Sequence, residues 1–238
     1  ASPPAGAEQT LPAVALSPDL LFDMLLGEIA GQRGQLDVAL ASLRHAALKS
    51  RDPRLVERAT LVGLYAKRPA EALDTARLWV ELQPANLDAR EALGVILMET
   101  GDAQGAQQQF EKILTPAPAG QLGQAYLRVS ATLGRQQNRA AALSIMQSLV
   151  RMHPDSPEAH FALAHLAVRV SDLPLAATSI DRALSLRPDW EDAALFKTRV
   201  LASQKDMQKV LEFNEAFLAR YPRASNLRMN YARYLVDL

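Results

Sequence analysis

The sequence contains no cysteine. That excludes disulfide staples, thiolate-ligated zinc and a cysteine nucleophile, and it leaves cytoplasm and periplasm both open as compartments. Net charge is absent too: 26 Lys and Arg balance 26 Asp and Glu, so no bulk field draws the chain to nucleic acid or anionic lipid. Aromatic residues make up only 5% of a chain that is 49% hydrophobic. Ala, Leu and Val must therefore build the core, which favours closely packed helices over a sandwich of aromatic and β-branched strands. No uninterrupted apolar run approaches the roughly 18 residues of a membrane-spanning helix. What remains, in 238 residues, is chain enough for one large domain or two small ones with a sizeable core.

Proline, in contrast, is plentiful and ordered. Pro3, Pro4, Pro12 and Pro18 lie in an Ala/Pro/Ser-rich opening, read as a flexible lead-in over residues 1–19. Pro84, Pro118, Pro154, Pro188 and Pro222 are spaced by 34, 36, 34 and 34 residues. A fixed period of this length signals a repeat array. The segments between carry helical rather than strand periodicity, with proline closing each unit.

In register, the units over residues 20–238 begin near Leu20, Pro53, Leu87, Gly123, Pro157, Glu191 and Ser225. The eighth position holds Gly27, Thr60, Gly94, Ser130, Ala164, Thr198 and Ala232; the twentieth holds Ala39, Ala72, Ala106, Ala142, Ala176 and Val210. Small side chains recur where two antiparallel helices have to approach closely. Turns are expected mid-unit, at Gly34, Arg68, Gly101, Asn138, Asp172 and Asp206.

The third unit reads Leu93-Gly94, Leu97, Gly101-Asp102, Ala106, Phe110, Ile113 and Pro118. It resembles the tetratricopeptide repeat (TPR), a helix–turn–helix of 34 residues. The resemblance covers residues 20–238 and implies an all-α fold, a right-handed α-solenoid of six full repeats plus one further helix. Two extra residues near Gln121 and Leu122 lengthen one junction. The sixth unit departs most, with Lys197-Thr198 for Leu-Gly and Asn214 for the aromatic, which reads as drift in an outer repeat. The apolar residues Leu227, Met229, Tyr231, Tyr234, Leu235 and Leu238 of the last helix predict that the array continues past Leu238. A first residue that is Ala1 rather than Met agrees with a longer parent chain.

Chemistry is sparse. His160 and His165 are five residues apart and share no helix face, and His45 and His153 lie elsewhere. HExxH, a glycine-rich phosphate loop, GxSxG and SxxK are all missing. No catalytic residue, metal or cofactor is expected.

The resemblance implies instead a binding groove lined by the first helix of each repeat, at positions 2, 5, 6, 9, 12 and 13. Those positions give Arg54, Arg58, Glu91, Arg128, Arg135, Phe161, His165, Arg169, Leu195, Phe196, Arg199, Met229, Asn230 and Arg233. Arginine recurs in units two, four, five, six and seven, the third unit is acidic, and apolar groups gather towards the C-terminal end. Two readings stand side by side: the guanidiniums grip carboxylates of a protein or peptide partner, or they pair with neighbouring Glu and Asp. Chaperone-binding members of the family carry a carboxylate clamp of Lys at position 5 and Asn at position 9, followed by Asn at position 6 of the next repeat. No unit here fits it.

The first two units carry more. Glu28-Ile29-Ala30-Gly31-Gln32-Arg33-Gly34, Arg51-Asp52-Pro53 and Val56-Glu57-Arg58-Ala59-Thr60 resemble segments of proteobacterial outer-membrane TPR lipoproteins. One such protein is an adaptor for a periplasmic carboxyl-terminal processing protease that degrades cell-wall hydrolases. This resemblance implies a non-enzymatic, monomeric periplasmic adaptor, membrane-tethered through an N-terminal lipid anchor upstream of Ala1, with no nucleic-acid partner. A cytoplasmic location, a regulatory module of a larger enzyme such as a glycosyltransferase, and a part in a secretion or polysaccharide-export assembly stay open.

Overall fold

The computed structural model describes residues 15–115, 117 and 119–236. The lead-in assigned to residues 1–19 lies mostly outside them. The described residues form thirteen α-helices and a 3₁₀ turn, with no strand among them. The helices are α1 (Pro18–Gln32), α2 (Leu36–Ser50), α3 (Pro53–Tyr65), α4 (Pro69–Leu82), α5 (Leu87–Glu99), α6 (Ala103–Leu114), α7 (Leu122–Leu133), α8 (Arg139–Met152), α9 (Pro157–Arg169), α10 (Leu173–Leu186), α11 (Glu191–Ser203), α12 (Met207–Arg220) and α13 (Ser225–Val236). Odd-numbered helices are the first helices of the repeats and even-numbered ones the second. At the lengthened junction before the fourth unit, Gln121 ends the 3₁₀ turn Ala119–Gln121 and Leu122 opens α7.

Local chemistry sets the helix ends. The side chains of Asp52, Asn86 and Ser156 accept backbone N–H bonds in the first turns of α3, α5 and α9. Asn138, Asp172 and Asp206 do the same for α8, α10 and α12. Each satisfies a donor that the helix leaves unpaired. Proline opens α3, α4 and α9, where its missing N–H costs nothing. Five mid-repeat turns pass through a left-handed residue: Gly34 (φ 72), Lys67 (φ 56), Gly101 (φ 90), Ser171 (φ 68) and Lys205 (φ 60). In four of them the next N–H bonds back five residues, as in Gln35 to the Ala30 carbonyl at 2.9 Å and Asp172 to the Ala167 carbonyl at 2.8 Å, closing the helix C-terminus. The fourth repeat is different: α7 ends at Leu133, and Gly134–Asn138 turns without a left-handed residue.

The chain divides into two compact units, Ala1–Ile113 and Leu114–Leu238. In the first, consecutive helices α1 to α5 pack in order around Leu43, Ala47, Val56, Ala59, Leu78, Trp79 and Ala89. The small positions are contact points. A Cβ added to Gly63 would lie 2.5 Å from the Ala72 Cβ, and one on Gly94 would lie 2.9 Å from the Phe110 ring. Repeats are also joined at the surface: Arg44 pairs with Asp74, Arg51 with Glu81 and Arg58 with Glu28, each across 30 residues.

In the second unit α7 packs on α9, α9 on α10, α10 on α11, and α11 on both α12 and α13. Phe161, Ala164, Ala167, Ala176, Ile180, Ala193 and Phe196 form its main core, and Ala194, Phe217, Ala224 and Leu227 a second cluster. The sixth repeat's departures, which read as drift, turn out to fit one another. Asn214 is fully buried; its Oδ1 accepts from the Thr198 hydroxyl at 3.1 Å and its Nδ2 donates to the Val210 carbonyl at 2.7 Å. A hydrogen-bonded pair thus stands where small residue and aromatic stand in the third repeat. Thr60 and Thr75 form a similar pair at 3.1 Å in the second repeat.

Candidate functional site

The first-helix faces carry different chemistry along the chain. In the first unit the arginines are spent on neighbours. Arg54 makes a two-pronged contact with Asp52 at 3.0 and 2.7 Å, and Arg58 does the same with Glu28 at 3.1 and 2.8 Å. The Arg54 guanidinium, with local hydrogen bonds, holds the Asp52 carboxyl below its ordinary range despite some burial. Glu91, Arg128 and Arg135 also engage other groups of the protein, Arg135 through the Thr132 hydroxyl at 3.0 Å. Pairing with a neighbouring Asp or Glu is thus the state of Arg54 and Arg58.

Helices α9, α11 and α13 are arranged otherwise. Arg169 on α9, Arg199 on α11 and Arg233 on α13 are exposed and form no ion pair among the described residues. They border an apolar row that repeats at the fifth position: Leu127, Phe161, Leu195 and Met229. Leu127 and Leu195 are half-buried, Phe161 is packed into the core, and Met229 is 59% exposed. Leu195, Arg199, Asn226, Met229, Asn230 and Arg233 enclose an open cavity of about 310 Å³. Phe196 is mostly buried beneath this face, with the Arg199 guanidinium 5.9 Å from its ring centre.

His165 sits between the arginines. Its ring stacks on Phe196 at 4.0 Å and meets the edge of Phe161 at 4.6 Å. Burial, reinforced by the Arg199 and Arg169 charges, pushes its pKa down to about 4, so the imidazole is neutral near pH 7. Among the described residues, two buried side-chain atoms lack any hydrogen-bond partner, and both belong to this face: His165 Nε2 and Asn230 Oδ1. Orphaned buried polar atoms are costly and few in native proteins.

A further cavity of about 520 Å³ lies at the start of α7, α9 and α11. Trp190 packs against Phe161 with ring centres 4.6 Å apart. The Arg187 guanidinium lies 4.4 Å above the Trp190 ring and also pairs with Glu158. Sequence reasoning missed Trp190 and Arg187 because both lie in the junction between α10 and α11, outside the first-helix positions. The one available signal was a tryptophan in a chain with only two. It also missed an apolar face on α1, where Leu21, Phe22, Leu25 and Ile29 are exposed. Among the described residues no cluster of His, Asp or Glu is placed to hold a metal ion, and no helix is long and apolar enough to cross a membrane.

Comparisons with known proteins find the following likenesses. Residues 132–193 match the family profile described as tetratricopeptide repeat. A TPR repeat-containing protein of Pseudomonas aeruginosa is 30% identical over 224 residues, which is 92% of this chain and 36% of that protein. The chain thus spans about a third of that relative's length. Among solved structures, a tetratricopeptide repeat protein from Parabacteroides merdae aligns with TM-score 0.44 and 14% identity, over 92% of this chain and 88% of that one. PilW, a type IV pilus biogenesis factor, aligns with TM-score 0.42 and 16% identity, over 91% of this chain and 100% of that one. With its paired helices, small contact residues and left-handed turns, the fold is an all-α solenoid of tetratricopeptide repeats.

Proposed function

We propose that this chain is a non-enzymatic protein-binding scaffold that takes a protein or peptide on the first-helix face of its second unit. One observation carries the reading: three exposed guanidiniums, without acidic partners among the described residues, stand beside an apolar row. An arginine that already holds a carboxylate has little to offer a partner, as at Arg58. Arg169, Arg199 and Arg233 keep their planar donor forks available, and bidentate grip on a carboxylate is among the stronger contacts a surface can make. The apolar row supplies area that a partner can desolvate. Mixed charge elsewhere and the apolar row argue for protein over nucleic acid.

The finer reading is that of a monomeric periplasmic adaptor. Tethered by an N-terminal lipid anchor, it would present cell-wall hydrolases to a carboxyl-terminal processing protease. It is supported by the Glu28–Gly34 and Arg51–Thr60 segments, which resemble those of outer-membrane TPR lipoproteins. The test is affinity capture from periplasmic extract with the wild-type chain and with an Arg199→Gln/Arg233→Gln variant. The expected result is a protease or cell-wall enzyme retained by the former and lost from the latter. Capture of proteins of neither class overturns the adaptor role; capture of none overturns the scaffold.

A further inference from the structure

The spacing of the free arginines and the two orphaned atoms bear on what the face would hold. Arg199 and Arg233 occupy the same position in consecutive repeats, on helices α11 and α13 that pack directly together. Helices in contact lie about 8–10 Å apart. Arg169 stands one turn further along α9, which is joined to α11 by the stacking of His165 on Phe196. Three cations are therefore distributed over three repeats rather than gathered at one point. A lone terminal carboxylate meets one such group well and leaves the others unanswered.

An extended chain advances about 3.3 Å per residue, so three residues cover roughly one repeat. Asn230 adds a second constraint. Its buried Oδ1 lacks a donor, and Asn230 lines the cavity with Leu195, Arg199 and Met229. A backbone N–H is the donor that every residue of an extended peptide except proline carries; in a bound helix most such groups are already spent on the helix itself. Met229 and Leu195 offer apolar area beside it.

We infer that the face formed by α9, α11 and α13 binds an extended acidic segment internal to its partner, with carboxylates recurring about every third residue and apolar side chains between them. This deepens the scaffold reading and rests on it. The carboxylates meet Arg169, Arg199 and Arg233 in turn, a backbone N–H meets Asn230, and the apolar side chains lie over Leu195 and Met229.

The test uses the full chain and three end-labelled peptides of equal length in fluorescence anisotropy near 0.15 M salt. The first, blocked at both ends, carries Asp at every third position with Leu or Met between. The second, also blocked, has the same composition with its acidic residues in one cluster. The third is uncharged except for a free C-terminal carboxylate. The expected result is that the spaced peptide binds at least about tenfold more tightly than either other, and that Arg199→Gln and Arg233→Gln each weaken it about tenfold, the ordinary scale for a charge-assisted contact. Equal binding of spaced and clustered peptides overturns the proposal, as does preference for the free terminus. Failure of all three peptides overturns it too. The scaffold reading stands if affinity capture still yields a protein partner, and falls only if capture is empty.

Discussion

The close approach of α3 to α4 makes Gly63 a place where two physical effects oppose each other. Replacing a helical glycine by alanine ordinarily stabilises by about 1 kcal/mol, because glycine loses the most backbone freedom on folding. At Gly63 the new Cβ would sit 2.5 Å from the Ala72 Cβ and 3.3 Å from Leu40 Cδ1. Carbon atoms pack at about 3.5–4.0 Å, and neither methyl can rotate away, so α3 and α4 have to part by an ångström or more. Overpacking of this kind costs about 3 kcal/mol at the upper end of its usual range. Gly63→Ala is thus expected to destabilise by about 2 kcal/mol net. Ala72→Gly alone loses helix propensity and a buried methyl, again about 2 kcal/mol. Exchanging the two residues restores one methyl between the helices, so the double variant should lie within about 1 kcal/mol of wild type, a coupling of about 3 kcal/mol. The assay is urea unfolding in a Trp190→Phe background. Trp79, 1% exposed in the core of this unit, is then the remaining tryptophan and reports the first unit alone. Stabilisation by Gly63→Ala, or additive single effects, would refute the argument.

Other expectations are simpler. Lys205 and Ser171 hold left-handed turns without glycine's freedom, so Lys205→Gly and Ser171→Gly should each raise stability by roughly 1 kcal/mol, and Gly101→Ala should lower it similarly; thermal midpoints decide. Asn214→Ala should cost about 2–3 kcal/mol by opening a cavity and removing buried bonds. Asn214→Leu keeps the branched shape and leaves Thr198 its bond to the Ala194 carbonyl at 3.0 Å, so it should cost under about 1 kcal/mol, read for both variants by urea unfolding of the wild-type background followed by circular dichroism. His165 has a folded pKa of about 4, below its unfolded value near 6.5. The unfolded chain therefore binds the extra proton first, and the stability present above pH 6.5 falls away between pH 6.5 and 4. Allowing for partial exposure the loss is about 2 kcal/mol, read as the difference between wild type and His165→Gln across that window.

The repeat was legible because its causes are local. Proline closes a helix by its own geometry, and small residues recur wherever two helices touch, so period and register could be read without coordinates. The turns were legible in place but not in conformation: nothing in Lys67 or Lys205 announces a left-handed backbone, which the packing of the flanking helices imposes. The proposed binding face was only half legible. Its positions followed from the family resemblance placed on the register, and whether an arginine is free or engaged depends on a carboxylate one repeat away, as Glu28 is from Arg58, and on rotamers. Asn214 misled for a related reason. Its partner Thr198 lies sixteen residues earlier, and each residue by itself looks like a lapse from the pattern.

The ties between repeats are short in sequence: Arg44 to Asp74, Arg58 to Glu28, the Ser130 hydroxyl to the Ala162 carbonyl 32 residues on, and the Leu227 N–H to Glu191 across 36. A protein secured in this way resists tension as a row of stitches does, not as a knot. Pulled from one end, each compact unit should give way a repeat at a time, in small steps of force, with the repeats behind the break still folded. Released, it can rebuild from any repeat that survived, because no repeat needs a distant part of the chain to complete it.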